Sequence, residues 1–132
     1  MPRLGIDLPL AWGDIGRDVP RTDFEGATPE RAAFVFPGSA LPGAAGNTYI
    51  YAHARTGMFL ALWNARPGDL VLLSWPNASL RYEISEVHPR VDANDATWLD
   101  PSGSPRLTLQ TSTGPRAADP RFIAIATPLS AN

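Results

Sequence analysis

Three polar residues stand where strand-like runs of this chain end or begin: His53, Ser112 and Arg121. A neutral imidazole takes a proton from a hydroxyl, and the hydroxyl so relieved attacks an acyl carbon. A guanidinium then steadies the oxyanion that results. Brought together, the three side chains make a candidate acyl-transfer site. Each also has a plainer reading. His53 alone reads as a half-buried structural histidine, Ser112 as a hydroxyl closing a turn, and Arg121 as a rim arginine paired with Asp119 or another loop carboxylate. Arg116 is a weaker rival for the arginine role, and His88, just before Pro89, reads as a surface histidine.

The elements that must position them are short strands. Residues 107–114 (L-T-L-Q-T-S-T-G) alternate Leu107, Leu109 and Thr111 with Thr108, Gln110 and Ser112, the period of a strand with one apolar face. Gly114-Pro115 stops the run and leaves a serine at a strand end. Residues 47–53 end on His53, and residues 121–127 begin on Arg121. Further strands are expected over 3–10, 33–36, 70–75 and 80–88, with a bulge near Glu86 and Val87. Pro9 makes the first an edge or an end. Residues 11–30 read as a polar loop with one helical turn at 28–31, and 58–65 as a two-turn helix that buries most of its surface. Residues 76–79 read as a hairpin turn, and 89–105 as a polar loop. Seven or eight short strands at close spacing predict an all-β fold, a small closed or nearly closed barrel with one or two short helices.

Size and composition bound the function. The 132 residues make a single domain over 1–132. Net charge is −2 and the basic residues are scattered, which argues against a nucleic-acid or anionic-membrane surface. No stretch reads as an 18-residue apolar span, a signal peptide or a basic tail, so the leader or anchor of an exported form is expected to lie outside these residues. The chain has no cysteine, which excludes disulfides and a thiolate nucleophile. It has no lysine either, which excludes Schiff-base chemistry and a Walker-type phosphate lysine. Asp92, Asp95 and Asp100 are dispersed in one loop and read as solvated rather than as a calcium site. Trp63, Trp75 and Trp98 read as core or rim packing.

Three stretches carry a resemblance: F-P-G-S-A-L-P-G-A-A-G-N-T-Y-I-Y-A-H at 36–53, L-T-L-Q-T-S at 107–112 and R-F-I-A-I-A at 121–126. Taken together, in this order and spacing, they resemble the sortases, surface-anchoring transpeptidases of mostly Gram-positive bacteria. The likeness runs over residues 3–127. It implies an eight-stranded barrel with a cleft at strand ends, no cofactor, and an extracytoplasmic monomer held to the membrane only through an N-terminal anchor. The implied partners are a sorting-signal peptide and an amine or water that resolves the acyl-enzyme. His53 takes the histidine role, Arg121 the arginine role, and Thr111 flanks the substrate groove, with Thr108 structural.

The cysteine position of that family falls on Ser112. A hydroxyl is far less acidic than a thiol and needs a positioned base and an oxyanion hole. His53, neutral near pH 7, is the candidate base, with Asp100 and Asp119 as candidates to orient it. Three readings stay open: a natural serine-dependent sortase, a catalytically silent sortase-fold peptide binder, and an engineered Cys→Ser trap. A barrel of another kind holding an apolar ligand in its interior is the rival outside the family.

Overall fold

A computed structural model describes residues 1–13, 32–75, 78–116 and 118–129. The helical turn expected at 28–31 and most of the loop at 11–30 lie outside the described residues, as does the tip of the turn at 76–77. Seven strands are described: β1 (Leu10–Trp12), β2 (Ala33–Val35), β3 (Asn47–Tyr51), β4 (Leu70–Trp75), β5 (Ala78–Val91), β6 (Arg106–Ser112) and β7 (Arg121–Pro128). They form one sheet in the order β1-β2-β3-β6-β7-β5-β4. The two outer strands curl toward each other, and Trp12 of β1 meets Trp75 of β4 edge to face at 5.5 Å. The result is a nearly closed barrel, all-β as expected, with seven described strands rather than eight.

The first expected strand is the one that fails. Residues 3–5 lie in a turn, with Gly5 at φ +68°, a conformation that interrupts an extended run. Arg3 is held instead by a distant partner. Its guanidinium makes a two-pronged ion pair with the buried Asp69, with Nη2 on Oδ2 at 2.7 Å, and also donates to the Asn64 carbonyl at 2.7 Å. Asp69 accepts the Arg66 N–H at 2.9 Å as well. The Arg3 hydrogen bond, foremost, keeps the Asp69 carboxyl below the usual carboxylate range. A depressed carboxyl stabilises the fold above its unfolded pKa and loses that contribution as pH falls through its folded value. Asp69→Asn is therefore expected to cost about 1–2 kcal/mol at neutral pH, Arg3 being partly exposed and screened. The deficit relative to the parent should shrink on acidification below about pH 4. Thermal denaturation of both proteins from pH 7 to pH 3 checks this, and a deficit independent of pH would refute the ionic account.

Two layers of apolar side chains explain why the central strands read as they do. Inside the barrel, Leu107, Leu109, Ile50, Phe122, Ala124 and Ala126 pack together. On the outer face, Tyr49, Tyr51 and Phe34 are covered with help from Trp98 and Leu99, and Ile123 and Ile125 by Val91 and Trp98. Strands buried on both faces lose alternation, and six consecutive residues of β7 from Arg121 are buried.

The helix expected over 58–65 is a 3₁₀ helix, Phe59–Asn64. At three residues per turn it buries Phe59 and Leu62 on one edge. Trp63 is left 42% exposed, so the helix does not bury most of its surface. β5 runs past Pro89 to Val91, with register shifts between Ile84 and Glu86 and between His88 and Val91. The second shift admits a proline to a paired strand. The following loop carries a second 3₁₀ helix, Ala96–Leu99, capped by the Asp95 carboxylate on the Thr97 N–H at 3.1 Å. Asn47, buried, ties that loop to the sheet: Nδ2 donates to the carbonyls of Trp98 at 2.9 Å and Asp100 at 3.2 Å. Its Oδ1 accepts the hydroxyl of the fully buried Thr108 at 2.7 Å, which gives Thr108 a structural part. His88 packs against Trp98 with ring centroids 4.7 Å apart and the rings tilted by 47°.

Candidate active site

β3 and β6 run parallel, with Tyr51 level with Gln110. β6 and β7 run antiparallel, with Ser112 opposite Arg121 in the last rung. Continuing the first register by two residues sets His53 level with Ser112. β3 itself stops at Tyr51, two residues short of the expected end, but the ladder runs on through the Ala52 N–H, which donates to the Gln110 carbonyl at 3.3 Å. His53, Ser112 and Arg121 thus form one row across three adjacent strand ends. All three line the same cleft of about 670 Å³, together with Tyr51, Gln110 and Trp63.

Local backbone fixes each member of the row. The His53 carbonyl accepts the Phe59 N–H at 3.0 Å, which seats the turn after the histidine. Thr113 closes the loop between β6 and β7: its N–H at 3.0 Å and its hydroxyl at 2.7 Å both reach the Pro120 carbonyl. Gly114 lies close under Asp119: a Cβ there would come within 2.3 Å of Asp119 Oδ2, so a larger residue would oblige that carboxylate to turn aside. Arg121 is 8% exposed, and its Nη1 donates to the Asp119 carbonyl at 2.8 Å. Arg116 lies on the loop itself, exposed at the cleft rim, so Arg121 is the arginine that faces Ser112 across the sheet.

The Ser112 hydroxyl turns back on its own loop. It donates to the Gly114 carbonyl and accepts the Gly114 N–H at 3.2 Å. Of the candidate orienting residues, Asp119 belongs to the loop after Ser112 and Asp100 to the far end of the sheet. Asp119 accepts the Arg116 N–H at 2.8 Å within the loop. Asp100 caps the second 3₁₀ helix, far along the sheet at the Asn47 end. Among the described residues, no three His, Asp or Glu side chains gather where they could hold a metal ion.

Thr111 does not line the cleft. It faces the barrel interior, 1% exposed, and its hydroxyl donates to the Ala52 carbonyl at 2.8 Å. That bond staples the chain just before His53 to the chain just before Ser112, so Thr111 positions the row from beneath. Trp63 is the residue that motif reading missed. Its Nε1 donates to the Ser112 carbonyl at 2.9 Å from across the cleft mouth, holding the strand end from the solvent side. Nothing in the sequence distinguished it from the other tryptophans.

A family profile described as the Sortase domain matches residues 1–129. No curated protein is significantly similar in sequence. Among solved structures, the chain is similar to a lid mutant of sortase A from Corynebacterium diphtheriae, with a TM-score of 0.79 and 23% identity over 99% of this chain and 68% of that one. Sortase A from Listeria monocytogenes gives 0.79 and 18% over 98% and 83%. Sortase C-1 from Actinomyces oris gives 0.78 and 20% over 98% and 70%. At such identities the structural likeness speaks for the fold.

Proposed function

The chain belongs to the sortase family, and we propose that it is an extracytoplasmic acyl transferase acting on a sorting-signal peptide through a Ser112 ester. The reading is supported by one observation: His53, two residues past the end of β3, Ser112 at the end of β6 and Arg121 at the start of β7 all line a single cleft.

The reaction begins with a rotation of the Ser112 hydroxyl away from Gly114, a cost of about 1 kcal/mol for one exchanged hydrogen bond. Ser112 Oγ then attacks the peptide carbonyl carbon while its proton passes to His53. The oxyanion develops toward the Arg121 guanidinium. The C–N bond breaks, His53 returns the proton to the departing amine, and an ester remains on Ser112. An amine or water attacks that ester and gives a proton to His53, the acyl C–Oγ bond breaks, and His53 returns the proton to Ser112 Oγ. Arg121, oriented by the Asp119 carbonyl, keeps the positive charge at the row.

A second reading is favoured by a specific contact. Ser112 donates to Gly114 rather than waiting on a base, and Asp119 is committed to its own loop, as in a peptide-binding module with no turnover. Intact-mass analysis after incubation with a library of sorting-signal-like peptides separates the two. An acyl adduct mapping to Ser112, and missing from Ser112→Ala, supports the enzyme. Peptide binding without adduct or cleavage would overturn it in favour of the silent module.

A further inference from the structure

One short element is bonded to both reacting residues. The 3₁₀ helix Phe59–Asn64 begins with the Phe59 N–H on the His53 carbonyl at 3.0 Å, and near its end Trp63 Nε1 donates to the Ser112 carbonyl at 2.9 Å. The helix is anchored, because Phe59 and Leu62 are buried in the barrel core. At three residues per turn those two share an edge, and Trp63, one residue on, is turned away from it to line the cleft. Its bond continues a strand ladder by other means. The Ala52 N–H donates to the Gln110 carbonyl, and two residues further the parallel register of β3 on β6 would bring a backbone donor to the Ser112 carbonyl. β3 ends at Tyr51, and the indole N–H reaches that carbonyl. The peptide unit joining Ser112 to Thr113 is thereby held at both ends, its carbonyl by Trp63 and its N–H by the Pro120 carbonyl at 3.0 Å.

We propose that Trp63 is a positioning residue, whose indole N–H fixes the peptide plane after Ser112 and so sets where the Ser112 side chain stands relative to His53. This rests on the acyl-transfer reading above. A planar peptide unit clamped at both ends, on a residue whose other side is fixed in β6, leaves the Cα–Cβ bond of Ser112 one direction. The Thr111 hydroxyl ties the same two segments from within the barrel, through the Ala52 carbonyl at 2.8 Å. With one tie beneath and one at the cleft mouth, the two chain segments resist spreading when a peptide enters between them. The indole contributes here through its proton rather than its bulk. Glutamine carries an N–H the same number of bonds from Cβ without the ring, and phenylalanine keeps a ring without the donor. The two substitutions therefore separate the hydrogen bond from packing.

The chain has no cysteine, so Ser112→Cys supplies a single thiol at the reacting position. Trp63→Phe and Trp63→Gln are made both in that protein and in the unaltered chain, and all are compared well below their thermal midpoints. The first readout is the rate at which iodoacetamide alkylates the thiol at position 112. The second is hydrogen exchange of the Thr113 amide, followed by NMR in the proteins that keep the serine. Trp63→Phe is expected to slow alkylation about three- to tenfold, the scale of one neutral hydrogen bond. It should speed Thr113 exchange by about the same factor, and Trp63→Gln should restore both to within about twofold of the parent. Parent values in the phenylalanine variant, or losses confined to the glutamine variant, would overturn the proposal and leave Trp63 as packing. Should the thiol alkylate no faster than free cysteine with Trp63 in place, the acyl-transfer reading falls. Thr113 exchange then decides the clamp by itself: faster in the phenylalanine variant and restored by glutamine supports it, and unchanged in the phenylalanine variant overturns it.

Discussion

Ser112→Cys is expected to form acyl-enzyme at least about a hundredfold faster than the unaltered chain. Two physical differences act in the same direction. A free thiol has a pKa near 8.5, lowered further beside cations, whereas an alcohol stays protonated and must surrender its proton during attack. Arg121 lies opposite position 112 in the last rung of β6 and β7, so the cation is already in place. The thiol is also a weak donor and acceptor, and so is poorly held by the Gly114 carbonyl and N–H that occupy the serine hydroxyl. The substitution therefore both activates the nucleophile and frees it from its turn. The readouts are a thioester by intact mass, sensitive to hydroxylamine, and alkylation by iodoacetamide faster than that of a free cysteine at pH 7. A folded variant that forms no thioester and alkylates no faster than free cysteine would show that the row does not activate a nucleophile.

The sequence carried the row's members because strand ends are local events. Gly114-Pro115 stops β6 after Ser112, and a proline before Arg121 starts β7, so both boundaries follow from turn chemistry. What local pattern cannot hold is the parallel pairing of β3 with β6, whose partners stand about sixty residues apart, since no hairpin fixes that register. Thr111 is instructive for another reason. Its alternation with Leu107 and Leu109 assigned it to the apolar face, and it is indeed buried there. The motif position alone suggested the groove, so periodicity was the better guide to where the side chain goes. The missing strand at 3–10 has a distant cause as well, since the Arg3–Asp69 pair joins residues 66 apart and draws the first residues into a turn. Trp63 was illegible because its role depends on reaching a carbonyl on another element, a contact with no signature in its own neighbourhood.

Removing the guanidinium is the second large effect. Arg121→Ala is expected to lower kcat/KM for acylation by about 10²–10³-fold, the scale of losing an oxyanion donor, and to do so with either serine or cysteine at position 112. The substitution also empties space at a side chain that is only 8% exposed, so some loss of stability is expected along with it. Arg121→Lys separates the two effects. Lysine keeps the charge and most of the volume but lacks a planar fork that can hold the Asp119 carbonyl with one N–H and present another to the oxyanion. A purely electrostatic role predicts near-normal rates for the lysine variant, whereas an oriented donor predicts an intermediate loss of about tenfold or more. Measured below the melting transition of each variant, with peptide affinity determined separately, the loss should fall on kcat rather than on binding. An alanine variant that stays folded and acylates within threefold of its parent would remove Arg121 from the chemistry, leaving it as a rim arginine that ties β7 to the Asp119 loop.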